Sequence, residues 1–176
     1  MKKQFTVMSV LLVIVLFLFT SMVMAQDKPK ATFVGEKACK MCHSKEFAAW
    51  SKTKHAAAFA ALKPEEQKKA ECVGCHETGK TAADSMIVNV TCEACHGAGS
   101  EYKKPAIMSA AKFKADKVAA LKAAVDAGLN YPPTEATCMN CHKKEGNPNF
   151  KPFDFEKMKG LVHPIAATTA PAPEKK

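Results

Sequence analysis

Cys39-Lys40-Met41-Cys42-His43 is the stretch on which the reading of this chain turns, because its spacing returns three times. The other copies are Cys72-Val73-Gly74-Cys75-His76, Cys92-Glu93-Ala94-Cys95-His96 and Cys138-Met139-Asn140-Cys141-His142, and together the four use all 8 cysteines. Two thiols separated by two residues can form thioethers to the two vinyl groups of one haem, and the adjoining histidine then reaches the iron; this is the c-type haem attachment pattern. Zinc would require Cys or His sets that share one tetrahedral ion, and nothing in that chemistry asks for histidine after every second cysteine. A disulfide framework does not ask for it either. Nucleophilic cysteine catalysis is a poorer reading still, since a thioether has no free thiolate. The predicted cofactors are therefore four c-type haems, anchored by Cys39, Cys42, Cys72, Cys75, Cys92, Cys95, Cys138 and Cys141, with iron bound by His43, His76, His96 and His142.

Length and charge agree with that assignment. A chain of 176 residues excludes a large multidomain enzyme. All 26 basic residues are lysine, set against 17 acids, for a net charge of +9. Without arginine there is no guanidinium fork to read phosphate or guanine, so the basicity argues only weakly for nucleic acid, and none is predicted as a partner. With Lys2 and Lys3 set aside the excess is about +7, nearly matched by the propionates of four haems. Residues 26–176 supply about 38 residues per haem, too few for a conventional core around each. The predicted fold class is mainly α with extensive irregular loops, a compact multihaem cytochrome c fold organised around four covalently attached haems.

The N-terminus reads as an export signal. Lys2 and Lys3 precede an apolar run from Val10 to Phe19, and Val23-Met24-Ala25 suits cleavage before Gln26. The run is short for a membrane span. An uncleaved anchor is the competing reading, because Phe5 to Met24 is only mildly interrupted by polar residues. The domain plan is thus 1–25 signal peptide, 26–164 tetrahaem domain and 165–176 flexible tail, the last rich in Ala, Thr and Pro. Export predicts a periplasmic or extracellular protein without stable membrane insertion after cleavage.

Two histidines remain, His55 and His163, so at most two of the four haems can be bis-histidine within one chain. Ser44 to Leu62 reads as one helix with His55 on the face of Ala48, Ala58, Phe59 and Leu62. Such a helix carries His55 about 18 Å from His43, so it must cross to another haem. His163 ends the amphipathic run from Phe153 to Val162. Met41, Met86, Met108, Met139 and Met158 are further distal candidates, which would raise a haem's potential. Met41 and Met139 are poorly placed inside motifs, and a core methionine is more often packing. Tyr102 is another candidate neighbour of an iron. Asp116 caps a predicted helix over Lys117 to Ala127, with Val118, Leu121 and Val125 on its inner face and Gly128 as its stop. Asn130-Tyr131-Pro132-Pro133 then turns the chain, and Lys63 to Glu71 is a charged connector.

The order of these motifs resembles the tetrahaem cytochrome c-554 family. The likeness rests on Gly35-Glu36-Lys37-Ala38-Cys39 to His43, Trp50, Ser51, His55-Ala56, Cys72 to His76, Thr91 to Gly99 and Phe153 to His163, and it spans about residues 33–164. The resemblance implies that His55 is the distal ligand opposite His96, that His163 stands opposite His142, and that the haem of His76 is five-coordinate. The family also places a distal histidine shortly after its third motif. Here Gly97 to Lys104 contains none, which leaves the haem of His43 open or methionine-ligated.

The function these features imply is electron transfer between redox partner proteins through closely spaced haems. The alternative is a haem enzyme acting on a small nitrogen oxide or peroxide at a five-coordinate iron. A third reading, a subunit of a polymeric haem wire, meets the same histidine shortage. Once His55 and His163 are spent, the acid/base candidates are Glu77, Glu101 and Tyr102, and that shortage favours the carrier.

Overall fold

A computed structural model describes residues 30–163; the stretches read from sequence as an export signal and a tail lie outside the described residues. Each attachment motif folds as one short helical turn, which is what its spacing demands, since residues three apart share a helix face. Helix α1 (Glu36–Lys40) starts after Gly35 at φ 81° and carries Cys39. The amides of Cys42 and His43 both donate to the Cys39 carbonyl, wrapping the motif around one turn. Helix α2 (Ser44–Trp50) follows directly.

The continuous helix expected to Leu62 does not form. After Trp50 the chain turns extended at Thr53 and resumes as two 3-10 turns, Lys54–Ala57 and Phe59–Ala61. The cause is hydroxyl competition for helical carbonyls: Ser51 Oγ donates to Ala48 O and Thr53 Oγ1 to Trp50 O, at 3.0 and 2.7 Å. Tertiary hydrogen bonds then hold the broken segment. Trp50 Nε1 donates to Val90 O at 2.9 Å, Val90 N to His55 O at 3.1 Å, and Phe59 N to Asn89 Oδ1 at 2.9 Å. His55 is thus placed by the chain near Val90 rather than by a helix axis.

Beyond a 3-10 turn at Glu66–Lys68, helix α3 (Ala70–Val73) carries Cys72. Strands β1 (Glu77–Lys80) and β2 (Met86–Val88) form an antiparallel hairpin with a register shift between Glu77 and Gly79. The hairpin joins the second motif to the third. Asn89 N donates to His76 O at 3.0 Å, while Thr78 Oγ1 accepts from Thr91 N at 2.9 Å at the start of helix α4 (Cys92–His96).

Helix α5 (Ala110–Ala115) is capped by Ser109 and helix α6 (Lys117–Asp126) by Asp116, whose carboxylate accepts from Ala119 N at 3.0 Å. Cap and stop fall where the sequence puts them, with Gly128 at φ 102°. The inner face does so in part: Leu121 packs against the core and Val125 is half-buried, but Val118 is 68% exposed, and Ala120 and Ala124 are the fully buried positions. Small side chains let α6 approach Tyr102 and Leu129, around which Ile107, Met108, Leu121, Ala127 and Tyr131 pack. Helix α7 (Glu135–Cys138) opens the fourth motif with a capping box between Thr134 and Thr137, and helix α8 (Phe155–Met158) leads to His163. Among the described residues no helix is long and apolar enough to cross a membrane.

Gly97, immediately after the third motif, sits at φ 80°, and a Cβ there would lie 2.9 Å from the Gly128 carbonyl oxygen. Gly97→Ala is expected to cost about 1–3 kcal/mol through left-handed strain plus that backbone clash, read as a lower urea midpoint for the holoprotein. An unchanged midpoint would show that the two backbones separate freely.

Candidate haem sites

Four histidine rings that the structure brings together in two pairs define two candidate sites. His55 and His142 have ring centroids 6.0 Å apart with planes at 63°, and His96 and His163 have centroids 6.2 Å apart at 26°. A metal–imidazole bond of about 2.0 Å puts each ring centre about 3 Å from the metal, so two imidazoles on opposite faces of one iron stand about 6 Å apart. Both separations match that requirement. The resemblance implies His55 with His96 and His163 with His142, whereas the structure sets the His55 ring beside His142 and the His163 ring beside His96. The break at Ser51–Thr53 and the Val90–His55 bond turn His55 toward the fourth motif, and the chain after α8 returns His163 to the third.

The protonation chemistry suits a metal ligand. Burial lowers His55, His96 and His142 below the ordinary imidazole value near 6.5, with His142 adding to the effect at His55. Each ring is thereby kept neutral, with a lone pair to offer. Two rings also have their orientation set through Nδ1, which lies 2.6 Å from Ala58 O in His76 and 3.1 Å from Asn130 O in His96. A carbonyl only accepts, so Nδ1 carries the proton and Nε2 is left bare for iron. Phe153 stacks on His142 at 4.5 Å and restrains its rotation.

His43 and His76 have no described histidine ring opposite them. The His43 side chain is 52% exposed, with Glu46 at 3.9 Å from Nδ1. Met41 is 83% exposed, and Met86, Met139 and Met158 are also exposed, whereas Met108 packs against the Tyr102 cluster. The Tyr102 hydroxyl donates to Gly97 O at 3.0 Å, and burial raises its pKa, which works against the phenolate an iron would need.

The anchoring cysteines of different motifs adjoin. The thiols of Cys39 and Cys92 stand close enough to shift each other's protonation, as do those of Cys75 and Cys141, and Cys95 lies within electrostatic reach of Cys138. Burial pushes the Cys95 thiol up to about 11 and that of Cys141 up to about 12, so both are neutral thiols before attachment. None of the eight forms a disulfide. Among the described residues no three His, Cys, Asp or Glu side chains converge on one point.

Two residues that hold these sites were not singled out by the sequence reading. Asn130, in what reads as a simple turn, accepts from the His96 ring, donates its backbone N–H to His96 O at 2.9 Å, and sends its amide to Cys95 O at 2.7 Å and Thr137 Oγ1 at 3.1 Å. It ties the third motif to the fourth. Glu93, a variable position inside the third motif, is only 1% exposed and accepts four hydrogen bonds. Asparagine before Tyr-Pro-Pro was a signal for the first; nothing local marked the second.

Repeated Cys-x-x-Cys-His turns whose rings meet across one iron's width define a multihaem c-type cytochrome. Residues 38–97 match the family described as Cytochrome c554 and c-prime. Cytochrome c-554 of Nitrosomonas europaea is 32% identical over 151 residues, covering 71% of this chain and 63% of that protein, so the match spans less than two thirds of the relative. The solved reduced state of cytochrome c554 from Nitrosomonas europaea superposes with a TM-score of 0.59 at 26% identity, over 77% of this chain and 85% of that one. The chain belongs to the cytochrome c554 family.

The depressed histidines fix a sign for acid sensitivity. The unfolded chain takes up protons below about pH 6.5 that the folded chain refuses, so their contribution is fully present above that value and is lost as pH falls through the folded values. Iron competes with protons in the same direction. Urea midpoints of the holoprotein are expected to be lower near pH 5 than near pH 7.5, with a parallel loss of low-spin absorbance; equal midpoints and spectra would show that these rings are not held neutral by the fold.

Proposed function

We propose that this chain is an exported tetrahaem c-type cytochrome that carries electrons between redox partner proteins. The observation that carries this reading is the crossing of the two ring pairs, at separations suited to a shared iron. In this assignment Cys39, Cys42, Cys72, Cys75, Cys92, Cys95, Cys138 and Cys141 hold the haems. His43, His76, His96 and His142 are their proximal ligands, His55 is the distal ligand opposite His142, and His163 the distal ligand opposite His96. Bound haem supplies one-electron iron chemistry. The protein's part is to keep the ligand nitrogens bare, hold the rings in place and set the attachment turns side by side. The thiol contacts suggest an order: first motif beside third, third beside fourth, fourth beside second. That order is one connected path from the half-exposed His43 region to the second motif. Donor and acceptor are taken to be proteins met outside the cytoplasm, in the periplasm or beyond it, a location that rests on the N-terminal segment alone.

A second reading draws on His43 and His76, which face no described histidine. An iron open on one side there would bind a small molecule, and turnover of nitric oxide, nitrite, hydroxylamine or peroxide would make the chain an enzyme. Carbon monoxide or nitric oxide added to the reduced holoprotein separates the readings. Gas binding at one or two haems together with turnover supports the enzyme; wholly low-spin haems that ignore both gases remove it.

The ring angles give a direct test of the ligand assignment. Imidazole planes far from parallel produce a highly anisotropic low-spin EPR signal, and nearly parallel planes a rhombic one. The pair at 63° is expected to give the first and the pair at 26° the second. His55→Ala should remove only the anisotropic signal and His163→Ala only the rhombic one. Loss of the opposite signal in either variant would return the pairing to the one first implied by the family.

A further inference from the structure

Glu93 is a buried carboxylate held by backbone N–H groups. Val34 N donates to Oε1 at 3.0 Å and to Oε2 at 3.1 Å, Gly35 N to Oε2 at 2.8 Å, and Gly99 N to Oε1 at 2.7 Å. Among the described residues no lysine pairs with it. Both oxygens accept from backbone N–H groups, the acceptor-only behaviour of an ionised carboxylate. Val34 and Gly35 lead into α1, which carries Cys39, while Glu93 belongs to α4 and Gly99 follows it. The two helices pack together. The approach is close enough that a Cβ on Gly99 would lie 3.0 Å from Glu93 Oε1 and 3.2 Å from Val34 Cγ2. One side chain therefore closes the contact between the first and third attachment turns and leaves an unneutralised negative charge there.

We propose that Glu93 is a positioning residue with an electrostatic role: it clamps the first and third attachment turns together and holds down the reduction potentials of the haems on His43 and His96. This rests on the tetrahaem reading above. When either iron loses an electron to its acceptor, Fe(II) becomes Fe(III) and the site gains one positive charge. A fixed carboxylate in a low-dielectric setting stabilises that product, and the same charge is worth less at the haems of the second and fourth motifs, whose attachment turns it does not join.

The test is an EPR-monitored redox titration of holoprotein carrying Glu93→Gln, with haem content measured first. The expected result is a positive shift in the midpoints of the rhombic signal of the His96 haem and of the His43 haem, with the anisotropic signal of the His55–His142 haem unmoved. Unchanged midpoints throughout, or an equal shift at every haem, would overturn the electrostatic role. Gly99→Ala separates clamp from charge, since it crowds Oε1 and keeps the carboxylate: a lower thermal midpoint without a rise in potential is expected. Unchanged stability in that variant would overturn the clamp, also when Glu93→Gln fails to retain haem, and a rise in potential equal to that of Glu93→Gln would overturn the charge argument. A wild-type chain with fewer than four haems would instead sink the tetrahaem reading.

Discussion

Two imidazoles held about 6 Å apart, the separation that a shared iron would need, are the constraint around which the rest of this structure is arranged. Ring separations of 6.0 and 6.2 Å are too wide for contact between the rings and suited to a shared iron. Few of the described apolar side chains are buried, so an apolar nucleus is a small part of what specifies the architecture. The polar backbone contacts of Asn89, Val90 and Asn130 do more of that work, because each fixes a segment that carries or supports a histidine.

The reading from sequence succeeds where covalent chemistry writes itself into spacing. Four Cys-x-x-Cys-His copies could be found by eye, and each forms the compact turn the spacing requires. Helix α6 was equally legible at its ends, because Asp116 and Gly128 act through local backbone geometry. Its buried face was legible only in part: Leu121 packs inward as the apolar pattern expects, but the pattern also favours Val118, whereas close approach of Tyr102 and Leu129 selects Ala124. The helix expected through Leu62 fails for a related reason. Ser51 and Thr53 offer local carbonyl bonds, and Trp50 and Phe59 find partners at Val90 and Asn89 far along the chain. Periodicity cannot register such partners.

The same limit explains the exchange of ring partners. Counting histidines shows that His55 and His163 are available; which motif each meets depends on chain paths set by long-range backbone hydrogen bonds. Glu93 was hidden for a different reason. The two positions between the cysteines look like spacers, yet one of them carries a buried carboxylate joined to residues nearly sixty positions away.

The broken pairing order carries a consequence for how the chain matures. The earlier free histidine faces the later motif, and the later free histidine faces the earlier one, so the two connections interlock along the sequence. Each closes a loop of roughly 70 to 90 residues, whose entropy no short-range contact offsets. A growing chain that stops before His142 has neither pair. In the proposed assignment, axial closure is therefore concentrated at the end of synthesis: the motifs can be covalently loaded in turn, but closure at the third and fourth waits until the C-terminal third of the chain has arrived.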